Sequence, residues 1–334
     1  MKALVTGGGG FLGSAIVRLL RARDDEVVVL GRNHYPHVEE LGATCVICDI
    51  AEGGAALDTA LVGVDVVFHV AALAGMWGPY ERYRRVNVQG TQTVLEAARR
   101  AGVRRFVHTS SPSVTFDGRS EEGVREEDCS YPETFLFHYP ATKAEAEAWV
   151  LAQDSDVLAT TALRPHLIYG PGDPHLVPRL LARQRAGRLR VLGSGTNKVA
   201  LTYVDNAAVA HLQAADALAV GSPNAGRAYF ITDGDPVVVW EWLDELFEAV
   251  GAGRIRGRVP TGVAMPLAGL VEWVWRTFGV ASEPPITRFT VAQTSTSHWY
   301  DLHNARADFS YTPIVDPETA FSRTVAAFLG PPAR

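Results

Sequence analysis

Tyr139 and Lys143 stand four residues apart in Tyr139-Pro-Ala-Thr-Lys143, at the start of an alanine- and glutamate-rich segment that reads as a helix over 139–153. Residues i and i+4 share a helix face, so a phenol and an ammonium are presented together. A tyrosine near its ordinary pKa of about 10 is a sluggish acid and a worse base at neutral pH. A neighbouring ammonium lowers that value, and an oxidised nicotinamide would lower it further. The pair therefore suits proton transfer coupled to hydride transfer. Thr109-Ser110-Ser111, ending a preceding strand, and Asn87-Val-Gln-Gly-Thr91, opening a helix, supply hydroxyl and amide groups alongside it. Metal and nucleophile schemes find no comparable support. The ten histidines show no H-x-x-x-H or H-E-x-x-H spacing, and no metal is expected.

Such a pair needs a platform for the nicotinamide, and the N-terminus provides one. A strand over 2–6 runs directly into Thr6-Gly-Gly-Gly-Gly-Phe-Leu-Gly13 and then into an amphipathic helix over 11–22 carrying Ile16, Val17, Leu19 and Leu20. Gly7 permits the tight turn, Gly10 lets backbone approach a pyrophosphate, and Gly13 lets helix pack on strand. The amides around Phe11 and Leu12 lie at the positive helix end. At the end of the second strand the sequence reads Val29-Leu30-Gly31-Arg32-Asn33, with no carboxylate for a ribose 2′-hydroxyl and an arginine fork suited to a 2′-phosphate. NADP(H) is the expected preference, with NAD(H) usable. Asp49-Ile50 after the third strand and Ala71-Ala72 after the fourth are the next candidates to flank a cofactor.

The elements that hold these groups alternate. Strands are predicted over 2–6, 26–31, 44–49, 65–70, 104–110 and 157–163, with helices over 11–22, 83–101 and 139–153 between them, a rhythm of βαβ units and a parallel sheet. After Tyr169-Gly-Pro-Gly-Asp-Pro174 the rhythm breaks into turns, an arginine-rich helix over 176–187, a helix opening near Asp205 and an apolar stretch over 263–280. The predicted fold is an α/β Rossmann sheet, doubly wound and parallel, with a smaller interleaved C-terminal substrate-binding cap. Residues 1–163 form the dinucleotide-binding domain, with 199–233 returning to it, and 164–198 and 234–334 form the cap. Asp205 is expected to cap its helix.

With 334 residues, 47% of them hydrophobic and 20% charged, the chain has material for a large core and none of the signature of disorder. Its net charge of −6 removes the electrostatic case for nucleic acid. Three cysteines in a chain that opens MKALVTGGGG indicate a reducing, cytoplasmic setting, with Cys45 and Cys48 as small core residues rather than a zinc or redox motif. The 263–280 stretch is interrupted by Pro266, Glu272 and Arg276, too broken to span a bilayer. Its apolar face leaves peripheral contact with a membrane or a partner open.

TGGGGFLG (6–13), NVQGT (87–91), TSSPSV (109–114), YPATK (139–143), LRPHLIYGPGD (163–173) and YVDNAAVAH (203–211) together resemble the extended branch of the short-chain dehydrogenase/reductase superfamily across nearly the whole chain. The resemblance implies a ketone reductase. Tyr139 would be its proton donor and Lys143 its electrostatic partner and ribose ligand. Ser111, preferred over Ser110, would hydrogen-bond the carbonyl oxygen, Asn87 would belong to a water relay, and Pro165 and His166 would lie at the nicotinamide end. Within that branch, RNHYPHVEELG (32–42), ALAGMWGPY (72–80), LVPRLL (176–181), GTNKVALTYVDNAA (195–208) and residues 284–313 resemble the 3β-hydroxysteroid dehydrogenase-like group. Inside it they are most similar to the reductases of 2-alkyl-3-keto acids in bacterial long-chain olefin synthesis.

That likeness implies a long-chain keto acid substrate, partner enzymes of the same route and a homo-oligomer. Two alkyl chains need apolar walls, for which Met76, Trp77, Tyr80, Phe135, Phe137 and the 263–280 segment are candidates. Two other readings share these motifs. A steroid or sugar-nucleotide dehydrogenase would keep every one of them, with Arg179, Arg183, Arg185, Arg188 and Arg190 as diphosphate ligands or simply a solvated helix face. A non-catalytic NADP-binding regulator would keep the glycine loop but has no need of the intact tyrosine–lysine pair.

Overall fold

The structure is a computed structural model that describes residues 1–174 and 176–329. Its centre is a parallel sheet of seven strands: β1 (Lys2–Thr6), β2 (Glu26–Gly31), β3 (Thr44–Ile47), β4 (Val66–His69), β5 (Arg105–Thr109), β6 (Ala159–Pro165) and β7 (Arg227–Ile231). They lie in the order β7-β6-β5-β4-β1-β2-β3, so the winding reverses between β1 and β4. Ligands of open α/β sheets bind at such a reversal, outside the strands' C-terminal ends. The registers Val5↔Val29 and Leu4↔Val67 put β1 in step with its neighbours β2 and β4.

Both faces of the sheet are covered, which is why its strands read as unbroken apolar runs. Ala3, Val5 and Val29 point to one side, where Ile16 and Val17 of helix Phe11–Ala22 and Ala207, Ala210 and Ala214 of helix Val204–Ala217 close over them. Leu4, Leu30, Val67 and Phe106 point to the other, against Leu57, Val94 and Leu95. The alternation within β1 is the period of two expected of a strand.

The remainder is stitched from both ends of the chain. Val237–Val238, Lys198–Val199, His298–Tyr300 and Glu121–Val124 form a second, four-stranded sheet in that order. Two-stranded pairs join Ile168–Tyr169 to Thr202–Tyr203 and Val191–Leu192 to Arg258–Val259. Helices Thr261–Thr277 and Arg288–Ser295 pack on each other beside the last pair.

Several predicted elements shift. The helix expected over 83–101 is broken: Tyr80–Tyr83 is α-helical, Arg84–Gln89 is a π-helical turn, and Gly90–Arg100 resumes the α-helix. The third strand is shorter than 44–49, ending at Ile47, and the arginine-rich helix runs Leu176–Arg185. Asp205 does not cap its helix, because the N-cap is Tyr203 and Asp205 lies in the first turn. Its carboxylate pairs instead with Arg18 of helix Phe11–Ala22 at 2.5 Å. Cys48 is buried, Cys45 half-buried, and both are free thiols.

Candidate active site

The glycine loop is built by steric exclusion. Gly7 has φ +68°, a conformation side chains avoid, and a Cβ there would stand 2.9 Å from the Ala71 backbone. A side chain at Gly13 would collide with the Gly7 carbonyl. Gly7 N–H donates to Leu30 O at 2.9 Å and Gly10 N–H to Gly7 O at 2.9 Å, which leaves the helix opening at Phe11 and Leu12 with its first amides directed out of the loop. Ala71 is held there by its N–H to Thr6 Oγ1 at 3.2 Å, and Ala72 is exposed at the same rim.

At the far rim Gly31 is buried and Arg32 exposed. One feature went unforeseen: the Tyr35 ring lies across both Gly9 and Gly31, where a Cβ on Gly31 would meet it at 2.7 Å. The signal lay in the absence of side chains at 9 and 31, which leaves a slot an aromatic ring fills. Asp49 accepts from Arg85 at 3.0 Å, and Arg85 also reaches Glu52 at 2.9 Å. Ile50 is buried, its side chain filling the space over Gly90. A cleft of about 550 Å³ opens beside the loop between Gly9, Gly10, Phe11 and Pro171, Gly172, Tyr203, Val204; it does not reach Tyr139.

Tyr139 and Lys143 sit in the first turns of helix His138–Leu151, where Pro140 lacks an N–H the helix would not have used. Lys143 is 2% exposed. Its Nζ donates to Thr109 O at 2.6 Å and to His108 Nε2 at 3.2 Å. Burial pulls its pKa down to about 8 against the opposing charge of Glu147. Burial likewise pushes the Tyr139 phenol up to about 12, although a hydrogen bond with Ser111 works the other way. Ser111 Oγ also lies 2.9 Å from Ser113 Oγ. Ser110, by contrast, is buried on the Glu147 side.

Asn87 lies within the π-helical turn and is 1% exposed. Its Oδ1 accepts from Leu73 N at 2.7 Å, and its Nδ2 donates to Leu73 O at 3.2 Å and to Thr142 Oγ1 at 3.1 Å. The side chain thus clamps the loop after β4 to helix His138–Leu151. Behind it the buried His69 bridges Thr6 and Thr91 at 2.9 Å each, so β1 and helix Gly90–Arg100 are tied together. One turn beyond Lys143, Glu147 accepts a bidentate pair from Arg164 of β6 (2.9 and 2.6 Å) and a bond from Tyr131 at 2.7 Å. Neither member of that ion pair is exposed by more than a few per cent.

Pro165 ends β6 beside Ile231. His166 is held internally through three groups: its N–H goes to Ile231 O at 3.1 Å, Nδ1 to Ala200 O at 2.6 Å, and its carbonyl accepts from Thr202 at 2.6 Å. Its imidazole packs edge-on against His298 and Tyr300.

Around Tyr139 an apolar cluster forms from Tyr83, Phe116, Phe137, Phe289 and Ala292, with Leu73, Met76, Trp77 and Met265 at its edge. Met76, Trp77 and Phe137 were expected as walls; Tyr83, Phe116 and Phe289 were not, because they come from elements far apart in the chain. Tyr80 is exposed and donates to Glu145 at 3.3 Å, and Phe135 lies outside this cluster. Trp77 Nε1 donates to Val280 O at 3.0 Å, which joins the loop after β4 to the end of helix Thr261–Thr277. Three of the candidate diphosphate arginines are engaged elsewhere: Arg179 with Glu283 at 2.7 Å, Arg183 with Pro285 O at 2.6 Å, and Arg190 with Gly187 O and Leu189 O at 2.8 and 2.7 Å.

A doubly wound sheet with a glycine loop at its reversal, and a half-buried tyrosine beside a buried lysine on helix His138–Leu151, defines an NAD(P)-dependent short-chain dehydrogenase/reductase of the extended type. Residues 4–259 match the 3-beta hydroxysteroid dehydrogenase/isomerase family, and the chain belongs to it. It is 46% identical over 328 residues to the 2-alkyl-3-oxoalkanoate reductase of Stenotrophomonas maltophilia (strain K279a), covering 98% of this chain and 99% of that one. To the 2-alkyl-3-oxoalkanoate reductase of Shewanella oneidensis it is 40% identical over 333 residues, covering 97% and 86%. Among solved structures it is similar to MoeE5 in complex with UDP-glucose and NAD, with a TM-score of 0.74, 26% identity and 97% of each chain covered.

Proposed function

We propose that the protein reduces the 3-ketone of a long-chain 2-alkyl-3-keto acid to the 2-alkyl-3-hydroxy acid, with NADPH as the preferred reductant, as a step of olefinic hydrocarbon synthesis. The observation that carries this reading is the aromatic and aliphatic cluster around Tyr139, apolar side chains surrounding the proposed proton donor. Likeness to two reductases of that name supports the same substrate class. The cap, residues 164–198 and 234–334, shelters the alkyl chains, and each CH₂ buried there contributes up to about 0.8 kcal/mol.

The dinucleotide fits the residues present, since Gly7, Gly10, Phe11, Leu12 and Gly13 leave a cradle that any Cβ at Gly7 or Gly13 would fill. When bound, its nicotinamide supplies the hydride. Tyr139, held protonated by its burial, donates its phenolic proton to the ketone oxygen. Ser111 donates a hydrogen bond to the oxygen as charge develops. Lys143 steadies the phenolate that remains and binds the nicotinamide ribose, a role for which its Nζ exchanges its present bond to Thr109 O. Asn87 keeps helix and loop in register and lines a water path to Lys143. Arg32 meets the 2′-phosphate, Asp49 and Ile50 flank the adenine side, and Ala71, Ala72, Pro165 and His166 form the nicotinamide wall. The same reading makes the enzyme a cytoplasmic homo-oligomer working beside enzymes that make the keto acid and consume the hydroxy acid.

The test follows NADPH oxidation with a 2-alkyl-3-keto acid series, a 3-ketosteroid and a nucleotide sugar in parallel, with spontaneous decarboxylation of the keto acids measured without enzyme. We expect kcat/KM to rise with alkyl length until the apolar site is full. A flat length profile, or a preference for the steroid or the nucleotide sugar, overturns the reading.

A further inference from the structure

Helix Thr261–Thr277 is turned inside out. Its carboxylate, Glu272, is buried and accepts from Arg288 N at 2.7 Å and Arg288 Nε at 3.0 Å. Val263, Leu267, Leu270 and Trp273, spaced to share one face, are 48–61% exposed, and Phe278 just beyond the helix is 74% exposed. A soluble helix puts these classes the other way round. Its inner face is well packed: Ala264 and Ala268 rest on Val291, and Met265 reaches the cluster around Tyr139. The outward apolar stripe is therefore a property of the surface rather than of a badly seated helix.

The segment that leads into this helix is basic. Arg256 and Arg258 immediately precede it, and the strand Arg258–Val259 pairs with Val191–Leu192, which brings Arg188 and Arg190 alongside. Arg188, Arg190, Arg256 and Arg258 are all exposed, and among the described residues none of the four pairs with a carboxylate. In a chain of net charge −6 this concentration of unpaired cations runs against the overall balance. Among the described residues no helix is long and apolar enough to cross a membrane.

We propose that the apolar stripe of helix Thr261–Thr277 and the arginines at its N-terminal end form one docking surface for an anionic lipid bilayer, with Trp273 and Phe278 seated at headgroup level. Unpaired arginines complement lipid phosphates, and a tryptophan on a one-sided apolar helix is the side chain best suited to the interface. The helix then lies between lipid and the apolar cluster at Tyr139, which Met265 joins, so a poorly soluble substrate passes from bilayer to site without crossing water. That consequence rests on the substrate proposed above; the docking does not.

The purified full chain is sedimented with vesicles of phosphatidylcholine alone and of phosphatidylcholine with phosphatidylglycerol. The expected result is binding to the anionic vesicles that weakens in high salt. Leu267→Glu combined with Trp273→Glu, or Arg256→Glu combined with Arg258→Glu, is expected to cut partitioning at least about tenfold. Circular dichroism checks folding of each variant, and the milder Trp273→Gln replaces any that does not fold. Failure of the unmodified chain to bind anionic vesicles, or undiminished binding by the folded stripe variant, overturns the proposal. So does a dimer that falls to monomer when the stripe is charged, which would assign this face to a second copy of the chain.

Discussion

Asn87 donates from Nδ2 to Thr142 Oγ1 at 3.1 Å, and this bond fastens the π-helical turn to helix His138–Leu151 one residue before Lys143. Thr142 Oγ1 in turn donates to His138 O at 3.0 Å and Tyr139 O at 3.1 Å, so the amide braces the turn that carries the phenol. Single π turns are frequent at functional sites, and here the extra width places an amide between loop and helix. Asn87→Ala should lower kcat at least about tenfold and cost about 1–3 kcal/mol of stability, because Leu73 N–H loses its acceptor in the interior. Thr142→Val, which spares the Leu73 clamp, should cost less on both counts. Steady-state kinetics and thermal melts of the two variants check this ordering; an unchanged kcat in Asn87→Ala would leave the residue a purely structural brace.

Tyr139→Phe keeps the ring and removes the proton. Turnover should fall at least about a hundredfold with cofactor Kd unchanged, whereas Lys143→Ala should raise Kd as well. In the unmodified enzyme, kcat/KM for reduction should decline above about pH 8. There the Lys143 ammonium loses its proton, far below the ionisation of Tyr139 at about 12. A pH–rate profile locates the break, and Lys143→Arg should move it upward. A profile flat to pH 10 would remove Lys143 from the proton chemistry.

Discrimination between the two nicotinamide cofactors should rest on Arg32. A charge-assisted contact contributes roughly 1.5–3 kcal/mol, so Arg32→Ala should reduce NADPH preference by about tenfold or more. Gly31→Asp alone will not convert the enzyme to NADH, because a Cβ there meets the Tyr35 ring at 2.7 Å. Pairing it with Tyr35→Ala opens the space, and kcat/KM ratios for the two cofactors across the three variants provide the comparison.

Acid should unfold the protein early. His69, His108, His166, His211 and His298 are buried and held neutral, with pKa values near 3 for His69 and His298, near 4 for His166 and His211, and well below 6.5 for His108. Each folded value lies below the unfolded one, so the unfolded chain binds more protons and stability falls as pH drops from about 6.5 toward 4. The slope is about 1.4 kcal/mol per pH unit for each group. Half-buried Asp233, Glu121 and Glu126, whose carboxyl pKa values are raised by desolvation, offset part of that loss. Urea midpoints measured between pH 7 and 5 should fall steeply; a constant midpoint would contradict the neutral assignment.

The parallel sheet, the glycine loop and the Tyr139–Lys143 pair were legible because each depends on local spacing. Period, turn chemistry and i, i+4 geometry are written in consecutive residues. What escaped depends on chain segments meeting. The π turn at Arg84–Gln89 has no local signature in a run that is helical by pattern. Asp205 has the residue type and place of a cap, yet the strand before it lets Tyr203 take that position while Arg18 claims the carboxylate. Phe116 and Phe289 meet, T-shaped with centroids 6.2 Å apart, only because two remote segments close on one apolar cluster.

The position of β7 bears on how the molecule is made. All seven residues of β6 are buried, yet the edge they offer after Pro165 is covered only by Arg227–Ile231, which leaves the ribosome long after the first six strands. Until then the nascent sheet carries an unpaired apolar edge of the kind that recruits strands from other molecules. A fragment stopped anywhere between the two strands would keep that edge permanently. The cofactor-binding half therefore cannot be excised as a portable module, and chaperone protection during synthesis would matter most in the interval while residues 166–226 are being added.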